Sequence, residues 1–342
     1  MLVAESDTQG HLRPTDPDWR ALDASARPLI AVIRIDGRLA DWDAAPMAAE
    51  VRAVLDRAIP RGARVTGVEL DYDCATARLP AYTKFLARLR PMLGHGVRLS
   101  VTALPTWMSS PQLITLLGQT DEAVLQVHAV RNPSAGLFDP QLALKWIRAF
   151  AGLNPGPFRV ALPAYGARVS WSIDGAIAAV ESETTLLAGG SHYRELIAQP
   201  REVARVLRAL QSDPPDGLAG IAWFRLSTRD DSRTWSISTW RAVIRGKEPR
   251  AEVELVVKKS DIPGVNNLVL VNTGEFDANL PPQLVLPGSC RLADAINGYS
   301  LQRRGAGLMF ERIEAGLLRS HLQQTIGWMR CSPDRGSIHV AP

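Results

Sequence analysis

The chain has 342 residues, 46% hydrophobic and 22% charged, the profile of an ordinary soluble globular protein large enough for one big domain and one small one. Its 39 basic and 35 acidic residues leave a mild net charge of +4, and the basic residues are scattered, which excludes a nucleic-acid-binding stripe. No run of eighteen apolar residues exists to cross a membrane as a helix.

Met1–Glu5 lacks the basic start and long apolar core of a signal peptide and reads as the tail of a strand. A polar loop, Ser6–Pro17, follows. Pro28–Ile35 is an apolar strand ended by Asp36 and Gly37. Ala45–Ile59 places Met47, Ala48, Val51, Val54, Leu55 and Ala58 at helical spacing, with Pro60 and Gly62 as stops. Val65–Asp73 is a strand. Leu79–Arg90 is a helix with Tyr82, Phe85, Leu86 and Leu89 on one face. Val97–Ala103 is a strand leading into Pro105-Thr106-Trp107, and Ser110 and Pro111 open a helix. Ala123–His128 is a strand and Pro140–Phe150 a helix. Phe158–Leu162 is a strand running into Pro163-Ala164-Tyr165-Gly166. Ala167–Gln199 holds little regular pattern and reads as an insertion. Arg201–Leu210 is a helix, Leu218–Phe224 a strand followed by Arg225-Leu226-Ser227, and Ser236–Ile244 a closing helix.

Beyond Gly246 the pattern turns to strands: Glu252–Lys258, Asn267–Thr273, Gln283–Leu286 and Leu308–Glu314, punctuated by Gly264, Gly274, Pro281, Pro282, Pro287 and Gly288. The expected domains are therefore 1–246 and a small β-rich 251–342. Cys290 and Cys331 share the second. A disulfide between them and two buried thiols are both open readings. No CxxC or Cys/His cluster with zinc spacing occurs, and neither metal nor cofactor is expected.

Strands alternating with helices over short connections give a parallel sheet, either doubly wound or a (β/α)8 barrel. Strand parity separates the two. One parity carries Arg34 and Asp36, then Glu69, Asp71 and Asp73, then Ser100 and Thr102, Gln126 and His128, Ala161, Pro163 and Tyr165, and Trp223 and Arg225; the other is almost wholly apolar. A doubly wound sheet would bury these charges beneath helices. A TIM-type barrel gathers them at the carboxyl ends of its strands. Seven strands are visible, and an eighth is expected upstream of Met1.

The centre of this reading is Glu69, Asp71 and Asp73, three carboxylates on one strand face. Neighbouring carboxylates repel when ionised, so one keeps its proton to higher pH. Glycoside hydrolysis needs such an acid beside a second carboxylate. Asp73, nearest the strand end, is the expected acid and Asp71 its partner. Glu69 lies deeper and pairs with Arg34. Asp36, Gln126, His128 and Arg225 are expected around an oligo- or polysaccharide, with Trp107, Tyr165 and Trp223 stacking on sugar rings. The competing readings are a structural Glu69–Arg34 ion pair, a core histidine at 128 and core tryptophans at 107 and 223. A divalent cation held by the carboxylates ranks lower. Cys74 has the opposite parity and is expected under the helices.

Thr66–Asp73 resembles the Asp-Gly-x-Asp-x-Asp-x-Glu signature of glycoside hydrolase family 18, the chitinase-like barrels. Leu162-Pro163-Ala164-Tyr165-Gly166 resembles that family's Pro-x-Tyr-Gly segment, and Gly220–Phe224 its last strand with a site tryptophan. Asp73 stands where the family has Glu, Glu69 where it has Asp, and Thr66 where it has the leading Asp. Gln126 and His128 occupy the place of its Tyr/Asp pair. The chain as a whole is similar to the bacterial domain-of-unknown-function 3142 family, most visibly over Glu69–Thr76. This resemblance implies a glycosidase-type barrel and leaves the reaction open.

Three functions follow as expectations: a glycoside hydrolase acting on a bacterial or environmental polysaccharide, a non-catalytic glycan-binding or cell-envelope scaffold, and an interaction protein working through its β-rich domain. A signal sequence preceding the given start would make it periplasmic, lipoprotein-anchored or secreted. Nothing in the sequence sets the oligomeric state.

Overall fold

The computed structural model describes the chain except residues 8, 40–42, 61–63, 130–135, 183–191, 227–230, 232, 249–251, 288–289, 306, 314–315, 332–338 and 342. The expected stop at Gly62, the loop residue Ser227, Gly288, the strand end at Glu314 and part of the 167–199 insertion lie outside the described residues. The elements up to residue 163 are β1 (Leu2–Ser6), β2 (Leu12–Pro14), α1 (Trp19–Ala24), β3 (Leu29–Ile35), α2 (Ala44–Ala58), β4 (Val65–Tyr72), α3 (Leu79–Leu89), β5 (Arg98–Ala103), α4 (Gln112–Leu117), β6 (Glu122–Gln126), α5 (Pro140–Ala151) and β7 (Phe158–Pro163). Then come β8 (Gly166–Trp171), β9 (Ile177–Glu181), β10 (His192–Ile197), α6 (Pro200–Ser212), β11 (Leu218–Phe224) and α7 (Ile237–Ile244).

The chain divides into two compact units. The first comprises Met1–His128, Gln141–Leu162 and Ser212–Ala222; the second comprises Ala129–Pro140, Pro163–Gln211 and Trp223–Pro342. Residues 163–211 and 223–246, expected with the barrel, thus group with the C-terminal strands. Asp277 supplies one reason. Its carboxylate accepts the Ser236 N–H at 2.7 Å, and its own N–H donates to Thr239 Oγ1 at 2.6 Å, which ties α7 to the C-terminal strands.

The main sheet has the order β11-β7-β6-β5-β4-β3-β1-β2. Neighbours from β1 through β3, β4, β5 and β6 to β7 pair in parallel, and β2 turns back antiparallel on β1. Among the described residues no pairing joins β11 to β1 or β2, so the architecture is a mixed α/β sheet of eight mostly parallel strands. Parity holds over β3, β4 and the start of β5, whereas β6 and most of β7 bury both faces. Ala31, Ile33, Val68, Leu70, Tyr72, Leu99, Val101, Leu125, Val160 and Leu162 are buried, while Val32, Arg34, Glu69, Asp71 and Ser100 on the opposite face are half-buried. The register Glu5–Arg34–Asp71 and Val32–Glu69–Ser100–Glu122 runs across the strands and sets these groups side by side. The covering helices form where apolar spacing and caps agree. Asp43 caps α2 by accepting the Ala45 N–H at 3.1 Å, and α2 buries Met47, Ala48, Val51, Val54 and Leu55.

The insertion is regular where described: β10, β8 and β9 form an antiparallel sheet. In the C-terminal part, β12 (Val253–Lys259), β13 (Asn266–Asn272), β14 (Ala278–Asn279), β15 (Gln283–Val285), β16 (Cys290–Ala295), β17 (Tyr299–Arg304), β18 (Gly307–Arg312), β19 (Leu317–Leu318), β20 (Gln323–Cys331) and β21 (His339–Ala341) make sheets ordered β12-β13-β20-β16 and β17-β18-β15-β21, plus the β14–β19 pair. Leu268, Leu270, Leu284, Phe310 and Ile326 fill their core. Cys290 and Cys331 are a disulfide, across paired positions of β16 and β20.

Candidate functional site

The carboxyl ends of β1, β3 and β4 enclose a cavity of about 330 Å³ lined by Glu5, Ser6, Arg34, Ile35, Asp36, Gly37, Asp71 and Asp73. Arg34, Asp36, Asp71 and Asp73 were expected together. Glu5, Ser6 and Gly37 were not, because β1 looked like a strand tail. The register sets Glu5 beside Arg34 after an irregularity in β1 that buries both Val3 and Ala4, so simple alternation does not reveal it. Ser6 ties the two strand ends: its Oγ accepts the Asp36 N–H at 2.8 Å.

Arg34 pairs with Asp71, its Nε lying 3.1 Å from Oδ2, where a pair with Glu69 was expected. The register places Arg34 directly beside Asp71, whereas Glu69 sits beside Val32. Glu69 instead accepts the Thr102 hydroxyl at 3.1 Å. Burial and then the Asp71 charge push the Glu69 carboxyl up to about 7, with the Thr102 hydrogen bond opposing. Glu69 is not among the residues lining the cavity; it lies one strand step deeper.

Asp73 follows β4, is exposed as a residue and lines the cavity. Burial of its carboxyl and the neighbouring Asp71 charge push that group up to about 6, while Arg34 opposes. Its backbone is packed against Gly37. A β-carbon at position 37 would stand 2.3 Å from the Asp73 carbonyl oxygen, so only glycine allows the two chains to meet there. Asp36 is locked by Arg38, which donates from Nη2 at 2.7 Å, from Nε at 3.1 Å and from its backbone N–H at 2.8 Å. The Arg38 side chain accordingly holds Asp36 below the usual carboxylate range.

The other expected residues fall elsewhere. Trp107 is fully buried, donates its indole N–H to the Cys74 carbonyl at 2.9 Å and meets Tyr82 edge-on at 6.2 Å. It is a core residue with no face free for a sugar. His128 is buried, and burial drives its imidazole down to about 3, which keeps it neutral as a core histidine. Gln126 donates its amide to the His128 carbonyl at 3.2 Å. Tyr165, Trp223 and Arg225 belong to the second unit. Tyr165 is buried edge-on to Phe224 at 4.9 Å. Trp223 packs against Trp235 and Trp240 at 6.4 and 6.1 Å. Arg225 pairs with Asp231 and donates to the Ser182 carbonyl. Cys74 is buried, as its parity predicts, and burial pushes its thiol up to about 12, which leaves it unreactive. Among the described residues no cluster of three or more His, Cys, Asp or Glu is arranged to hold a metal ion.

Two solved structures of the spore cortex-lytic enzyme SleL are similar to this chain. That from Bacillus cereus is 13% identical with a TM-score of 0.46, covering 71% of this chain and 66% of that one. That from Bacillus megaterium is 11% identical with a TM-score of 0.46, covering 72% and 66%. The chain thus spans just under two thirds of their length. A chitinase from Bacteroides thetaiotaomicron is 11% identical with a TM-score of 0.46, covering 64% of this chain and 78% of that one. No curated protein sequence matches the chain. Residues 255–332 match a second model, a domain of unknown function (DUF8456). Residues 25–229, more than half the chain, match the model of a domain of unknown function (DUF3142), and the chain belongs to that family.

Proposed function

We propose that this protein is a carbohydrate-active hydrolase in which Asp73 protonates the leaving oxygen of a glycosidic bond. The observation that carries the reading is a carboxyl raised to about 6, opening on a cavity, beside a second carboxylate fixed by arginine. A general acid is useful when it still holds its proton near working pH and is poised to lose it. In this reading Arg34 fixes the orientation of Asp71, whose charge keeps the proton on Asp73 and then stabilises the oxocarbenium-like centre. Glu69 and Thr102 hold the layer beneath. The half-buried polar face of the parallel sheet supports a barrel of the glycosidase type over a doubly wound sheet, which would cover both faces with helices. The substrate class is an oligo- or polysaccharide.

The test is turnover of a panel of bacterial and plant polysaccharides by the wild type and by Asp73→Asn. Reducing-end release by the wild type and its loss in the variant are expected; release that survives the substitution removes Asp73 from the role. A second reading, a glycan-binding protein without turnover, is favoured by one observation. Asp73 is a methylene shorter than the glutamate of the chitinase-like signature it resembles. That reading predicts saccharide binding with no release, and binding unchanged in Asp73→Asn.

A further inference from the structure

A second cavity, of about 190 Å³, lies within the second unit and is lined by Ser238, Arg241, Ala242, Arg245, Lys247, Glu275 and His321. Arg241 and Arg245 are four residues apart on α7 and its C-cap, so they share one side of the helix. Like charges at that spacing destabilise a helix. Among the described residues no hydrogen bond or ion pair reaches either guanidinium. Lys247 pairs with Glu275. That lysine, with Arg245 and His321 adding to it, holds the Glu275 carboxyl below its usual range. Three fixed cations against one carboxylate leave an excess of two positive charges around a concave surface.

A hydrogen-bond network ties α7 to the segments that carry Glu275 and His321. Buried Asp277 accepts the N–H groups of Ser236 and Ser320 at 2.7 and 2.9 Å and donates its own to Thr239 Oγ1 at 2.6 Å. The Ser320 hydroxyl donates to the Gly274 carbonyl at 2.9 Å. The same turn sets His321 at φ 60°, a left-handed conformation that a residue with a side chain rarely adopts. A buried network and a strained histidine therefore frame a set of uncompensated cations.

We propose that this cavity binds a dianionic phosphate group, either free or as the monoester of a sugar. The charge of such a group at neutral pH is about −1.5 to −2, which matches the excess. Two guanidinium forks suit its oxygens, and Ser238 and His321 supply further donors. The two cavities share no lining residue, so either can fail without the other.

The experiment is calorimetric titration of the full chain with potassium phosphate and with glucose 6-phosphate, each against potassium chloride at equal ionic strength. Saturable binding of phosphate beyond the chloride response is expected. The double variant Arg241→Gln/Arg245→Gln should weaken it by about tenfold or more, the scale of lost hydrogen bonds to charged groups. Glu275→Gln should strengthen it by removing the competing carboxylate. Both arginines are exposed, so an unchanged unfolding temperature in the double variant separates lost binding from lost folding. Tighter binding of glucose 6-phosphate assigns the site to a monoester; binding of inorganic phosphate alone assigns it to the free anion. A phosphate response equal to that of chloride, or one unchanged in the double variant, overturns the proposal.

Discussion

Gly37→Ala tests whether the cavity depends on the contact between the β3 exit and the end of β4. The added β-carbon would lie 2.3 Å from the Asp73 carbonyl oxygen and 2.9 Å from its carbonyl carbon, where ordinary contact begins at 3.4 Å. Both close partners are backbone atoms, so no rotamer change relieves the clash, and one strand end must move by about 1 Å. Overpacking of this kind costs about 1–3 kcal/mol. At about 2–4 °C per kcal/mol in a unit of this size, the unfolding temperature should fall by several degrees. A displacement of about 1 Å at a reacting group costs on the order of a hundredfold in rate. Whatever glycan turnover the wild type shows should therefore drop far more than stability does. Calorimetry and turnover on one preparation make the check. An alanine variant matching the wild type in both would show that the two segments do not pack as described.

Folded-state carboxyls raised to about 7 at Glu69 and about 6 at Asp73 stay protonated where the unfolded chain has already lost those protons. Stability is then fully present below the ordinary carboxylate values and falls as pH rises toward 7. In Glu69→Gln, denaturant unfolding at pH 5 and pH 8 should show a smaller loss, the difference being no more than about 3 kcal/mol. Arg34→Gln removes the Asp71 partner and a cation that opposes protonation of Asp73, so the carbon-13 carboxyl titration of Asp73 should move to higher pH; a move to lower pH would contradict the assigned pairing. Cys290→Ser/Cys331→Ser opens a loop with a sequence separation of 41, worth about 4 kcal/mol by chain entropy. Urea unfolding monitored in the C-terminal sheets reads that loss, and a change under about 1 kcal/mol would rule out a structural disulfide.

Much of the parallel sheet was legible because its buried face is nearly pure Val, Ile, Leu and Ala while the other alternates with charge. Leu29–Ile35, Val65–Tyr72 and Leu218–Phe224 fall within a residue of the expected strands. The same parity put Arg34, Asp36, Asp71 and Asp73 on one face, and these four line one cavity. Parity did not give the Arg34–Asp71 pair, because the stagger between parallel strands cannot be read from either strand alone. Trp107 was misplaced for a related reason: it lies in a short turn after β5, where period-two reasoning stops, and its indole turns into the helix layer.

The insertion hid its strands because Gly166–Trp171 mixes small, charged and aromatic residues. Its hairpin nevertheless carries Asp174-Gly175, a turn pair that marks such connections. The Asp277 network that joins α7 to the C-terminal turns was invisible. Its partners are an aspartate, a threonine and two serines spread over more than eighty residues, with no shared periodicity.

The most direct test of the account is the titration of the Asp73 carboxyl in the intact wild-type protein, followed by carbon-13 NMR. A midpoint near 6, falling in Asp71→Asn as the neighbouring charge is removed, is the predicted result. A midpoint at the ordinary aspartate value in both proteins would contradict a proton-bearing acid at this strand end and the function built on it.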